Sequence, residues 1–113
     1  MKPGHDLIWV YMTAPNREEA RLIARELVTA RLAAGINIFD RVESFFWWQG
    51  RVREQSEVVL VAESRQSLFQ RLVQTVKNLH SYECPCILSL KIQDGYDPFL
   101  AWMRRELNPE ESL

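Results

Sequence analysis

Leu7-Ile8-Trp9-Val10-Tyr11-Met12 is an unbroken apolar run with β-branched and aromatic members, which predicts a central strand covered on both faces. Thr13-Ala14-Pro15 ends it. Asn16 with Glu19 three residues later predicts a helix start, Asn16 accepting from an orphan N–H while Glu19 reaches back. Ala20, Ile23, Ala24, Leu27, Val28 and Leu32 then recur at helical spacing, with Arg17, Arg21, Arg25, Glu26 and Arg31 on the other face. Gly35 suits a left-handed stop.

Residues 36–48 and 51–63 read as two long strands joined at Gln49-Gly50, a short glycine-containing connection that suits a hairpin. The pattern breaks near Asp40-Arg41, which predicts a bend or bulge. A second amphipathic helix covers 64–80, with Leu68, Phe69, Leu72, Val73, Val76 and Leu79 as its buried stripe. Residues 87–92 alternate as a strand, with Leu88, Leu90 and Ile92 on its apolar face. Asp97 as N-cap and Pro98 at the first helical position open a short last helix. The order β-α-β-β-α-β-α, with right-handed crossovers, predicts an α+β, ferredoxin-like βαββαβ sandwich carrying a long hairpin and an extra C-terminal helix.

Each hairpin arm would span roughly 44 Å, against a radius of gyration near roughly 13 Å for a compact chain of this length. The hairpin must project or curl, and it carries Phe45, Phe46, Trp47 and Trp48. Copies of the chain that took each other's hairpins would bury those aromatics and cover strand edges. The alternative is that the strand ends lie several residues away and the aromatics fill the chain's own core.

With 113 residues, nearly half of them apolar, the chain holds enough core for one domain over residues 1–113 without disulfide staples. A formal charge of −1 supplies no positive field for phosphate backbones, so nucleic acid is not expected as a partner. Glu57-Val58-Val59-Leu60-Val61 also lacks the aromatics of an RNA-binding third strand, and the four glycines make no phosphate-cradling run. No apolar stretch approaches the roughly 18 residues of a membrane span, so no membrane partner or leader is expected. Cys84 and Cys86 flank one proline and staple nothing distant, which suits a reducing cytoplasm.

Several spaced motifs together resemble the CutA divalent-cation tolerance family. They are Thr13-Ala14-Pro15, Leu32-Ala33-Ala34-Gly35-Ile36-Asn37, Phe46-Trp47-Trp48-Gln49-Gly50, and the segment His80-Ser81-Tyr82-Glu83-Cys84-Pro85-Cys86-Ile87, followed by Tyr96 and Trp102. The resemblance implies a tight homotrimer similar to the PII signal-transduction proteins, with a link to copper and other divalent metals. It implies an inter-subunit cleft at Trp48, Gly50, Glu57, Tyr82, Glu83 and Trp102, and a trimer interface at Phe45 to Trp48. Two departures stand out. The family's usual cysteine after the Ala-Ala pair is Gly35 here, and its His-Pro-Tyr-Glu-x-Pro-Glu pattern has Ser81 for the first proline and Cys86 for the second glutamate.

His80, Cys84 and Cys86 are the candidate metal ligands, a donor set suited to Cu(I) or Zn(II), while no cofactor is expected to be obligatory. Against this stands simple packing of the two cysteines, with His80 capping the preceding helix. Cys and His can also form a nucleophile pair, but no orienting third residue or oxyanion loop is visible, and an enzyme is not expected. Glu57 is expected to pair with Arg51 or Arg53. A PII-like site for a small-molecule effector between subunits is the alternative function.

Overall fold

The computed structural model describes residues 6–109. Four strands, β1 (Leu7–Ala14), β2 (Gly35–Trp48), β3 (Arg51–Arg65) and β4 (Ile87–Lys91), form one antiparallel sheet in the order β2-β3-β1-β4. Helices α1 (Arg17–Thr29) and α2 (Phe69–Leu79) follow the first and third strands, a 3-10 turn (Gln66–Leu68) leads into α2, and α3 (Asp97–Glu106) closes the chain. This is the ferredoxin-like sandwich with its added helix.

The alternation within β1 decides what the sheet buries. Ile8, Val10, Met12 and Ala14 join Val58, Leu60 and Ala62 of β3 beneath Ala20, Ile23 and Leu27 of α1, Leu72 and Val76 of α2, and Leu100 and Met103 of α3. Each large member of that core stabilises the fold by roughly 1.5–3 kcal/mol. The opposite face has no helical layer. There Trp9 pairs with Leu90, Tyr11 with Leu88 and Phe39 with Val59, and Trp9, Leu88 and Leu90 are 49%, 58% and 50% exposed. The two-sided cover that the apolar run of β1 predicts is thus met on one side only.

β2 and β3 run on past the core as a projecting hairpin, giving extents of 45 × 25 × 25 Å and a radius of gyration of 14.8 Å. Phe45 and Trp47 stand outside the core, Trp47 74% exposed. The expected irregularity is a register shift between Phe39 and Val42, with Arg41 at φ 58°. At the tip Gln49 and Gly50 both take positive φ, 52° and 76°, the backbone of a tight two-residue turn that follows strand twist.

Gly35 is not the left-handed stop. Arg31, at φ 58°, turns the chain after α1 while the Leu32 and Ala33 amides donate to the Leu27 carbonyl. Gly35 instead opens β2 where space is short, since a Cβ there would lie 2.8 Å from Glu63 Oε1. Ser64 and Arg65 belong to β3 rather than to the second helix, because Ser64 pairs with Ile8 and its hydroxyl donates to the Leu32 carbonyl at 2.6 Å. Tyr96, not Asp97, is the N-cap of α3, and Asp97 and Pro98 sit in its first turn. Asp6 ties the ends together, accepting from Arg104 at 2.8 Å with Arg65 3.7 Å away.

Candidate functional site

The outer side of the hairpin and residues 81–86 wall a groove of about 930 Å³. Phe46, Trp48, Arg53 and Glu57 line it from the hairpin, and Tyr82, Glu83, Cys84 and Cys86 from the segment that leads into β4. The bulge after Phe39 sets which hairpin residues face it, because it shifts the register by which Val42 comes opposite Glu57.

Tyr82 is the hinge of the site. Its hydroxyl donates to Glu57 Oε2 at 2.8 Å and accepts from the Gln55 side-chain amide. Glu57 is only 7% exposed, so that phenol is what satisfies a buried carboxylate. Burial and the Glu57 carboxylate push the Tyr82 phenol well above its ordinary value. It stays protonated and donates. The expected arginine partner for Glu57 is therefore replaced by Tyr82, which sits 25 residues further along the chain.

His80, its side chain 1% exposed, fixes the backbone below Tyr82. The Tyr82 amide donates to His80 Nδ1 at 3.0 Å, which leaves Nε2 as the N–H that donates to the Thr13 carbonyl at 2.7 Å. Glu19 Oε2 lies 3.3 Å from Nδ1 and accepts from both the amide and the hydroxyl of Ser81 at 3.1 Å. The Glu19 side chain thus reaches across to α2's end instead of back to its own helix start, although the Glu19 amide does receive Asn16 Oδ1 at 2.8 Å as expected.

These contacts separate the three candidate metal ligands. Both ring nitrogens of His80 are engaged with backbone groups, whereas Cys84 is exposed and Cys86 half-buried on the groove wall. Among the described residues no group of three His, Cys, Asp or Glu side chains is placed to hold a metal ion. The correction to the three-ligand reading has a plain cause: the imidazole is spent on holding the loop. Burial, Glu57 and Cys84 in turn push the Cys86 thiol up. Of the expected cleft residues, Trp48, Glu57, Tyr82 and Glu83 meet in the groove, and Gly50 lies in the turn beyond Trp48. Trp102 does not join them within one chain. It stacks on Phe99 at 5.1 Å and approaches Gly35, beside Glu63, roughly 20 Å along β3 from Glu57. Gln55, Thr13 and Glu19 are site residues that the sequence reading missed. The helix-start pattern was the one signal pointing to Glu19.

A ferredoxin-like subunit with an open apolar sheet face, a long projecting hairpin and a groove sealed by a tyrosine–glutamate pair defines the class of protein. The chain belongs to the CutA1 divalent ion tolerance protein family, whose model matches residues 8–106. It is 40% identical over 95 residues to the divalent-cation tolerance protein CutA of Archaeoglobus fulgidus, covering 84% of this chain and 92% of that one. It is 35% identical over 95 residues to human Protein CutA, of which the match covers 53%, so the chain spans about half the length of that relative. Among solved structures, the divalent cation tolerance protein of Thermus thermophilus superposes with a TM-score of 0.89 at 38% identity, covering 90% of this chain and 99% of that one. No helix among the described residues is long and apolar enough to cross a membrane.

Proposed function

We propose that this chain works as a cytoplasmic homotrimer in the tolerance of, or response to, divalent and related metal ions, binding its ligand in the groove between copies. The observation that carries the reading is the open sheet face of Trp9, Phe39, Leu88 and Leu90 together with the bare hairpin. A closed ring of identical chains covers both on every copy without leaving an edge. It would also let the Trp102 of one copy approach the groove of another. The relatives' description as divalent-cation tolerance proteins supports the class of ligand. Two free thiols support a reducing compartment, although a plant relative is named as chloroplastic and the Archaeoglobus structure is described as periplasmic. Catalysis is not part of the reading, because His80 is turned away from the cysteines by its bonds to Thr13 and Tyr82.

Light scattering at micromolar protein should give a trimeric mass, and a monomeric one would sink the proposal. Replacing Trp47 and Trp48 with serine should weaken assembly while helix content holds. A PII-like effector site is the second reading, favoured by a groove volume within the roughly 300–1,000 Å³ of small-molecule pockets. Thermal shifts with small-molecule effectors but none with metal ions would select it.

A further inference from the structure

We propose that Cys84 and Cys86 form a two-thiolate site on the groove wall for Cu(I), and that this chain's own donors disfavour the four- and six-coordinate divalent ions. The inference rests on the metal-response reading above and names the ion that the groove selects.

Both residues are free cysteines and both line the same groove. They flank Pro85, whose ring fixes its own φ and keeps the residue before it out of the helical region. Alternate residues of such an extended segment lie on one side, and the start of β4 at Ile87 pins the segment just beyond Cys86. The two are near enough for Cys84 to influence the Cys86 thiol electrostatically.

What the surroundings withhold decides the ion. His80 is held by Thr13 and Tyr82, and Glu57 accepts from Tyr82. No third His, Cys, Asp or Glu among the described residues completes a group with the thiols. Zn(II) takes four protein ligands in structural sites, and Ca(II) and Mg(II) take six or more oxygens. Thiolates favour Cu(I), which is content with two sulfurs in a line. On binding, each thiol gives its proton to solvent, two Cu–S bonds form, and the complex carries one negative charge. Neither copper nor sulfur changes oxidation state.

Anaerobic titration of the full assembled chain with Cu(I), against a chromogenic Cu(I) chelator, tests this. One Cu(I) per chain is expected, with affinity lowered at least about a hundredfold in Cys84→Ser and in Cys86→Ser, the upper reach of losing even an outer-shell partner. X-ray absorption at the copper edge should find two sulfur neighbours. Serine variants that bind as tightly as the wild type, a nitrogen or a third sulfur at the copper, or Zn(II) that displaces the copper would each overturn the proposal. Light scattering on the same samples separates it from the assembly reading. A monomer that binds Cu(I) through both cysteines sinks only the trimer, and a trimer indifferent to their loss sinks only the dithiolate.

Discussion

The Tyr82 hydroxyl serves Glu57 as donor and Gln55 as acceptor, so removing one oxygen strands two groups. Tyr82→Phe should cost roughly 1–3 kcal/mol, the penalty of leaving a buried polar group unmade, measured by urea denaturation at fixed protein concentration. An unchanged midpoint would mean that water reaches Glu57 freely. Asp6 makes a different point about charge. Burial raises its carboxyl, but the Arg104 hydrogen bond and the charges of Arg104 and Arg65 outweigh this and hold it below the ordinary value of 3.8. A carboxyl depressed in the folded state contributes its stability above the unfolded value and loses it as pH falls through the folded one. Asp6→Asn should therefore lower the melting temperature at neutral pH, by the equivalent of roughly 1–2 kcal/mol after allowance for solvent. The gap to wild type should close as the pH drops below that ordinary value. A gap that is constant down to acid pH would show that the ion pair is idle.

The hairpin turn is where backbone geometry alone sets the outcome. A Cβ on Gly50 meets nothing within 4 Å, yet φ is 76°, so Gly50→Ala should cost about 1–2 kcal/mol from left-handed strain alone. Gly50→Asn should stay near wild type, because asparagine tolerates that region. Equal losses in the two variants, compared by denaturation, would point to a side-chain clash instead. This turn was legible in the sequence, as were β1, the stripe of α1, the bulge at Asp40-Arg41 and the order of elements, since all depend on period or on neighbours a few residues apart. The ends of α1 and the start of α2 were not. Arg31 and Ser64 are placed by bonds to α3 and to the loop after α1, which no local pattern encodes. The groove was legible only as a motif. His80, Tyr82 and the cysteines announce themselves between 80 and 86, but Glu57, Gln55, Glu19 and Thr13 arrive from 25, 27, 62 and 67 residues away, through a sheet register that a bulge resets.

At the scale of the molecule, the open sheet face predicts how the chain behaves in company. Leu90 lies opposite Trp9 and half in water, so Leu90→Arg should cost a lone chain no more than about 0.5 kcal/mol. In an assembly that buries this face the same change places an unpaired charge in an apolar seam. The expected result is a drop to monomer mass in sedimentation with the helical circular dichroism preserved. A variant that remains trimeric would show that the copies meet elsewhere. The four tryptophans give this behaviour a colour. Trp9 and Trp47 stand in water on a single chain, while Trp48 and Trp102 are half-covered. Indole emits further to the red in water than in an apolar seam, so the ultraviolet fluorescence of the unlabelled protein should drift red on dilution and return to the blue as the copies meet. Trp9 reports the sheet face and Trp47 the hairpin, so Trp9→Phe and Trp47→Phe divide that shift between the two surfaces and tell which of them closes first.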